Sequence, residues 1–437
     1  MRHPRTLRAL ATLLLPTALV ASAAGASATD LAQRLPELVA AHAPAAVAAR
    51  HEIHQHPELS YQEVETAKRV AAELKKLGLE VRTGVARTGV VGVLRGGRPG
   101  PVVAVRADMD ALPVVEASDF PFRSTVRTTY QGQDVGVAHA CGHDVHTSVE
   151  LGVASMLAAA RAELPGTVVF VFQPAEEGAP PGEPTGARLM LDEKLFGDLQ
   201  PKAIFGLHSK PELDAGQASI APGPVYAAVD RFRINLHGKQ SHGAYPHQGV
   251  DPIVMASQVV LALQTIRSRT LDPLAPSVVT VGILRSGERF NIIPGDAYLE
   301  GTVRTYGGDV EGTVERRMRE ILDGITKAMG GSYELAWEQT TPATVNDAAL
   351  EPGVRRSLEA ALGAGNVVTA APVMGGEDFA YFANVLPAVY FNLGTREPGG
   401  KSGGLHTPDF RAADGAVEAG MRAMSRVLVD FLEAGAR

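Results

Sequence analysis

The sequence predicts an α/β fold of two domains, a larger one built on a mainly parallel sheet and, inserted into it, a ferredoxin-like βαββαβ unit. Three observations carry this. From Leu31 to about Ala221, amphipathic helical stretches alternate with short apolar strands, the texture of a sheet flanked by helices. The strands at 102–106 and 168–172 are nearly unbroken apolar runs, as strands covered on both faces are. From about Gly223 to Thr341 the order changes to strand, helix, strand, strand, helix, strand, a pattern that closes a small sheet of its own.

The chain opens on a targeting pattern. Arg2, Arg5 and Arg8 precede an apolar stretch, residues 9–20, and the small residues Ala26, Ser27 and Ala28 follow. This reads as a signal peptide over 1–28, cleaved after Ala28, and predicts an exported protein, periplasmic or secreted. Pro16 interrupts the stretch, which is shorter than the roughly 20 residues a spanning helix needs, so no stable membrane anchor is expected.

Residues 30–222 then form the first part of the larger domain, with a helix at 64–77 and the two apolar strands. The insert occupies 223–341: strand 229–236, helix 252–267, strands 277–284 and 297–305, helix 310–329 and strand 332–338. Residues 342–437 return to α/β texture, with a strand at 389–393 and a closing helix at 415–432, and complete the first domain. A Pro/Gly-rich loop spans 178–186, and no internal repeat is evident.

Composition narrows the function. With 45% hydrophobic and 20% charged residues the chain is an ordinary globular protein. A net charge of -7 without long single-sign runs leaves no electrostatic footprint for nucleic acid and no polybasic patch for a membrane, so the expected partner is a small molecule. Cys141 is the single cysteine, which rules out an intramolecular disulfide in a protein that leaves the reducing cytosol.

That thiol lies in the densest chemical cluster. His139, Cys141, His143 and His146 fall within eight residues just before an apolar helix, and a spacing of two along an extended segment would turn Cys141 and His143 to one face as shared ligands of a metal pair. Glu176 and Glu177 follow a buried strand, in the place where α/β proteins build their sites. Adjacent glutamates in a turn can diverge, one to bind metal and the other to take a proton from water; the residues alone do not say which. His208 and His406 each follow a short apolar segment, and gain weight only as members of the set. Asp108 and Asp110 end the strand at 102–106. There Asp108 could accept the second ring proton of a ligating histidine, or cap a turn.

Taken in order, the strings HQHPELS, RADMDALP, HACGHDVHT, FQPAEEG, GLH, SHGAYPH, NIIPGDAYLEGTVRT, GGEDFAYF and GLHTPDF, running from about Arg50 to Phe410, resemble the amidohydrolase branch of the aminoacylase and carboxypeptidase dinuclear metallopeptidase family. That branch includes hippurate hydrolases, indole-acetyl-amino-acid hydrolases and thermostable carboxypeptidases. The resemblance implies a metallopeptidase catalytic domain with an inserted lid and dimerisation domain, and hence a homodimer. It implies two divalent cations per subunit, zinc or manganese with cobalt or nickel as other occupants, held by Cys141, His143, Glu177, His208 and His406, with Cys141 shared. Glu176 becomes the general base and acid. His242 would approach the scissile carbonyl, in many relatives from the partner subunit, while Asn291, Arg304, Gly375 and Gly376 would bind the substrate carboxylate. The implied reaction is hydrolysis of N-acyl amino acids, hippurate-like, by water that the cations activate. Cleavage of short peptides is the alternative within the same chemistry, and a non-catalytic binding protein for acylated amino acids is the alternative outside it. Two departures from the family pattern stand out: the proline-rich loop at 179–188, and Glu150 where an apolar residue is expected.

Overall fold

The computed structural model describes Met1, residues 31–180 and residues 182–436. The expected signal peptide, Met1 apart, lies outside the described residues.

Strand Pro165–Gln173 is buried at every position, as its unbroken apolar run requires. It pairs parallel with Arg98–Asp108, which in turn pairs parallel with Ile204–Asp214, and that strand with Ala388–Arg396. On its other side lies the antiparallel strand Gly89–Arg95, followed by Glu80–Val85. With two short strands beyond Ala388–Arg396, the described residues form an eight-stranded, mainly parallel sheet. Helices Leu31–Gln55, His143–Ala159 and Gly415–Gly435 cover one face in a continuous apolar core that includes Leu35, Val149, Phe170, Phe205 and Leu428. Met190, Phe379, Phe382 and Tyr390 cover the other. Each such side chain contributes about 1.5–3 kcal/mol on burial. Helices His143–Ala159 and Gly415–Gly435 approach closely because glycines meet the partner helix: a Cβ on Gly152 would sit 2.5 Å from Met421 Sδ, and one on Gly420 would sit 2.6 Å from Val149 Cγ2.

The chain leaves this body after strand Gly223–Tyr226 and re-enters it at Thr344–Asn346, and the two strands pair with each other. Between them, strands Ser277–Ser286, Asp296–Thr305, Ala228–His237 and Ser332–Thr341 lie in that spatial order as an antiparallel sheet. Ala228–His237 alternates strictly between buried and more exposed positions, the period of a sheet with one covered face. Phe232, Ile234 and Leu236 from that face pack with Met255, Val259 and Leu263 of helix Pro252–Thr265 and Val314, Met318 and Leu322 of helix Asp309–Met329. The first of these helices begins where the Asp251 side chain accepts hydrogen bonds from the amides of Ile253 and Val254, a normal N-cap. Its outer face leaves Ile253, Val254 and Leu261 exposed. Among the described residues, no helix is long and apolar enough to cross a membrane.

Candidate metal centre and active site

The parallel strands deliver their ends to one rim: Asp108 is in register with Gln173, and His208 with Asn392. Cys141 arrives from a different direction. The segment before helix His143–Ala159 is not extended as the spacing suggested. Gly142 adopts φ +86°, and its missing Cβ would lie 2.3 Å from Ser209 Oγ, so only glycine fits this turn. The turn makes His143 the first residue of the helix and still brings its ring to the thiol.

Donor atoms of Cys141, His143 and His208 lie within 4.8 Å of one another, as do those of Cys141, Glu177 and His406, so the thiol belongs to both groups. Cys141 Sγ stands 3.4 Å from His208 Nε2, and His406 Nε2 stands 3.3 Å from Glu177 Oε1. Glu177 Oε1 is 3.8 Å from His143 Nε2, as is Glu176 Oε2. Ligands about 2.0–2.3 Å from a common tetrahedral ion stand roughly 3.3–3.8 Å apart, so these spacings fit cations. The donor chemistry agrees. Glu177 Oε1 and both nitrogens of His143 are buried without a hydrogen-bond partner among the described residues. His208 Nδ1 lies 2.8 Å from the Ser209 carbonyl oxygen. Because a carbonyl only accepts, the ring proton sits on Nδ1 and the Nε2 lone pair turns to the centre.

Burial, with Glu177, Glu176 and Asp108 nearby, pushes the Cys141 thiol well above its usual range. Burial and then the charges of Glu377 and Glu177 do the same to Glu176. Burial pulls His143 down, but Asp108 and Asp110 more than offset it and raise the ring to about 10. Anionic groups thus crowd one buried spot, an arrangement that positive charge relieves.

Several residues hold this geometry that sequence reasoning did not assign to the site. Ala175 takes φ +49°, and the turn after it is clamped by two buried carboxylates. Glu63 accepts from the Ala175 amide, while Asp110 accepts from the amides of Glu176 at 3.1 Å and Glu177 at 2.9 Å and from Ser60 Oγ at 2.6 Å. Asp110 is also the carboxylate nearest His143 Nδ1, at 3.4 Å. Asp108, the sequence's candidate acceptor for a ligating histidine's ring proton, faces His146 and Arg106 rather than His143 Nδ1. Its Oδ1 lies 2.6 Å from His146 Nδ1, while its Oδ2 accepts from Arg106 at 2.6 Å and lies 3.7 Å from the opposite nitrogen of His143. Arg106 is fully buried and also donates to Glu377 and Asp378 at 3.1 Å and to Gln173 at 2.8 Å. Burial, which Arg106 only partly offsets and Glu377 reinforces, raises Asp378 to about 7. The string GGEDFAYF contained Glu377 and Asp378, but nothing in its spacing pointed to a buried arginine more than 250 residues earlier.

A cavity of about 780 Å³ opens over the centre, in the range of small-molecule sites. Cys141, Glu176, Glu177, His208 and His406 line its floor, and Arg304, Gly375 and Gly376 its wall. Arg304 is half-buried and donates from Nε to Thr302 Oγ1 at 3.1 Å. The proline-rich loop closes one side, tethered by the Tyr61 hydroxyl to the Pro184 carbonyl and by an ion pair between Arg87 and Glu183. His242 and Asn291 do not line this cavity. They sit together on the inserted unit, His242 exposed and in register with Ile292, and the Gly243 amide donates to the Asn291 carbonyl at 2.9 Å.

The family model for Peptidase family M20/M25/M40 matches residues 104–430. The chain belongs to this family. Its relatives include an N-acetylcysteine deacetylase of Bacillus subtilis, 39% identical over 79% of this chain and 87% of the relative, and the thermostable carboxypeptidase 2 of Saccharolobus solfataricus, 40% identical over 79% and 85%. An IAA-amino acid hydrolase of Arabidopsis thaliana is 36% identical over 88% of this chain and 84% of the relative. Among solved structures, a Bacillus subtilis protein described as a dinuclear metal binding peptidase of the M20 family matches with a TM-score of 0.77 at 35% identity, covering 90% of this chain and 99% of that one. A putative aminohydrolase from methicillin-resistant Staphylococcus aureus matches with a TM-score of 0.84 at 33% identity, covering 92% and 99%. The M20 chain described here is accordingly a metal-dependent hydrolase of amide or peptide bonds with the mixed α/β fold of that family.

Proposed function

We propose that this M20 hydrolase cleaves the amide bond of N-acyl amino acids, hippurate-like compounds among them, after export to the periplasm or the outside of the cell. One observation carries the reading: Glu176 stands beside the converged thiol, imidazoles and Glu177, at the floor of a cavity whose wall offers a guanidinium and a glycine loop. Cys141, His143, Glu177, His208 and His406 would hold two divalent cations, zinc or manganese. The chemistry such cations would supply there is polarisation of the amide carbonyl and a lowered pKa of water, toward neutral pH. Glu176 takes a proton from that water as the carbonyl carbon is attacked and returns it to the departing amine. Arg304 and the Gly375 and Gly376 backbone hold the free carboxylate of the substrate, the planar guanidinium matching it in two contacts.

In this reading His242 and Asn291 serve the cavity of a second copy of the chain, because neither meets its own. The exposed apolar face at Ile253, Val254 and Leu261, with Phe290 wholly exposed nearby in sequence to Asn291, supports a homodimer through the inserted unit. Leu261→Glu is expected to yield monomers in light scattering and to lower turnover with metal content kept; an unchanged mass would exclude this face.

The deciding experiment measures amino acid released from hippurate and N-acetyl amino acids against dipeptides, alongside elemental analysis of the purified protein. Hydrolysis of dipeptides alone would replace the amidohydrolase reading with a dipeptidase one. Glu176→Gln is expected to cut turnover by roughly 10²–10⁴-fold with metal content unchanged. Full activity in that variant would remove Glu176 from the proton transfer, and binding without cleavage in the wild type would leave a binding protein.

A further inference from the structure

The cavity holds more cationic capacity than one substrate carboxylate uses. Most charged groups on its wall are already paired. Glu183 is tied to Arg87, Glu338 to Arg233, Arg231 to Glu300 and Lys210 to Glu212, while Glu377 and Asp378 share Arg106. Two guanidinium groups are not so committed. Arg304 has no carboxylate within ion-pairing distance among the described residues and bonds only the Thr302 hydroxyl, while burial works against its charge. Arg188 meets a carboxylate only at the outer limit, Asp192 Oδ2 at 4.0 Å, with both side chains more than half exposed. It also meets Tyr381 through its charge and a side-chain hydrogen bond; the Tyr381 hydroxyl donates to the Thr340 carbonyl at 2.9 Å, and both of those residues line the cavity.

Arg188 also has a defined place in the chain. It stands in helix Gly186–Asp192, directly after the tethered proline-rich loop that begins beyond Glu177. The start of that helix is fixed to the body: the Gly186 amide donates to the Ala175 carbonyl at 3.0 Å, and the Ala187 amide to Asp378 at 3.1 Å. The same buried carboxylate that bonds Arg106 therefore sets where Arg188 emerges. A guanidinium on a fixed helix, with no close carboxylate of its own, is a site for a planar anion.

We propose that the preferred substrates carry two carboxylates, one held by Arg304 and the Gly375 and Gly376 loop and the second by Arg188. This rests on the N-acyl amino acid reading and names the substrate class within it. The second carboxylate can belong to the amino acid side chain, as in an N-acyl acidic amino acid, or to the acyl group, as in an amino acid acylated by a dicarboxylic acid. Both present the same group to Arg188.

The test compares kcat/KM for each dianion with its uncharged amide isostere: N-acetyl-glutamate against N-acetyl-glutamine, and N-succinyl-alanine against its succinamoyl counterpart, with N-acetyl-methionine as the neutral reference. The expected result is a preference of roughly ten-fold or more for the dianion in at least one pair, since the isostere loses a charge-assisted contact. The pair that shows it identifies the source of the second carboxylate. Arg188→Gln should collapse that preference to within about two-fold while leaving N-acetyl-methionine turnover within about two-fold of wild type, and Arg188→Lys should restore part of it. Equal rates for dianion and isostere, or a preference that survives Arg188→Gln, would overturn the proposal while leaving the amidohydrolase reading intact. Failure to cleave any of the five compounds would overturn both.

Discussion

Asp110→Asn tests how much of the metal centre is built by the residues beneath it. The carboxylate accepts from the Glu176 and Glu177 amides and the Ser60 hydroxyl and faces His143 Nδ1 at 3.4 Å. Three donors point at two oxygens, so an amide in the same place presents its NH₂ to at least one of them and forces a donor against a donor. A hydrogen bond to a charged acceptor is worth about 1.5–3 kcal/mol. Losing one backbone contact lets the Glu176–Glu177 turn relax from the strained Ala175 conformation, φ +49°. Losing the negative charge beside His143 lowers the basicity of that ring, and losses of such support typically weaken metal binding by about 10–100-fold, or about 1.4–2.7 kcal/mol. Chelator competition on the purified protein, read by elemental analysis, should show this drop in at least one of two metal equivalents, with circular dichroism unchanged. Asp110→Glu should not rescue it, because the longer side chain overfills a fully buried position. Wild-type metal affinity in Asp110→Asn would refute the argument that this carboxylate positions the centre.

Two further outcomes concern carboxyl groups away from the centre. Glu150 lies on the buried side of helix His143–Ala159 with no ion-pair partner among the described residues, and burial pushes its pKa well up. Glu150→Met should therefore stabilise the protein by about 1–3 kcal/mol, seen as a higher melting temperature, and a lower one would show that the acid is satisfied. Asp230, under helix Asp309–Met329, is also buried, and burial, with Glu311 nearby, raises it to about 7. An acid raised in the folded state favours folding most at low pH, so this contribution is lost as pH climbs from about 4 to about 7 and stays lost above. Three pKa units set a ceiling of about 4 kcal/mol, which solvent relaxation reduces to roughly 2 kcal/mol. Asp230→Asn should flatten this part of the pH–stability curve in chemical denaturation, and parallel curves for variant and wild type would discard the assignment.

The parts of the fold visible in the sequence are those where local pattern and burial agree. The helix expected at 310–329 is Asp309–Met329, and the strand expected at 297–305 is Asp296–Thr305, because each has one covered face and the matching period. Other elements lack that signature. Helix Leu31–Gln55 carries Pro36 and Pro44, residues that normally end a helix, and the hairpin Glu80–Val85 to Gly89–Arg95 turns through Ala86 and Arg87 at positive φ without a glycine in the turn. At the site, dense local clusters exposed Cys141, His143, Glu176 and Glu177, whereas Asp110, Glu63 and Arg106 act through partners far along the chain. Proximity of that kind leaves no mark on neighbouring letters. The two-residue spacing of Cys141 and His143 led to the right neighbours through the wrong geometry, since a left-handed glycine and not an extended strand brings them together.

The order in which the donors appear along the polypeptide has a consequence for biogenesis. Cys141, His143, Glu177 and His208 precede the inserted unit, while His406 follows it, on a loop whose amide donates to the Ala140 carbonyl at 2.8 Å. The pocket for cations is thus left with a gap until almost the last residues have been made and folded back. With His406 among the proposed ligands, metal loading is expected to be a late step that ties the two ends of the larger domain together, and a chain that stops short of residue 406 would lack one donor of that set.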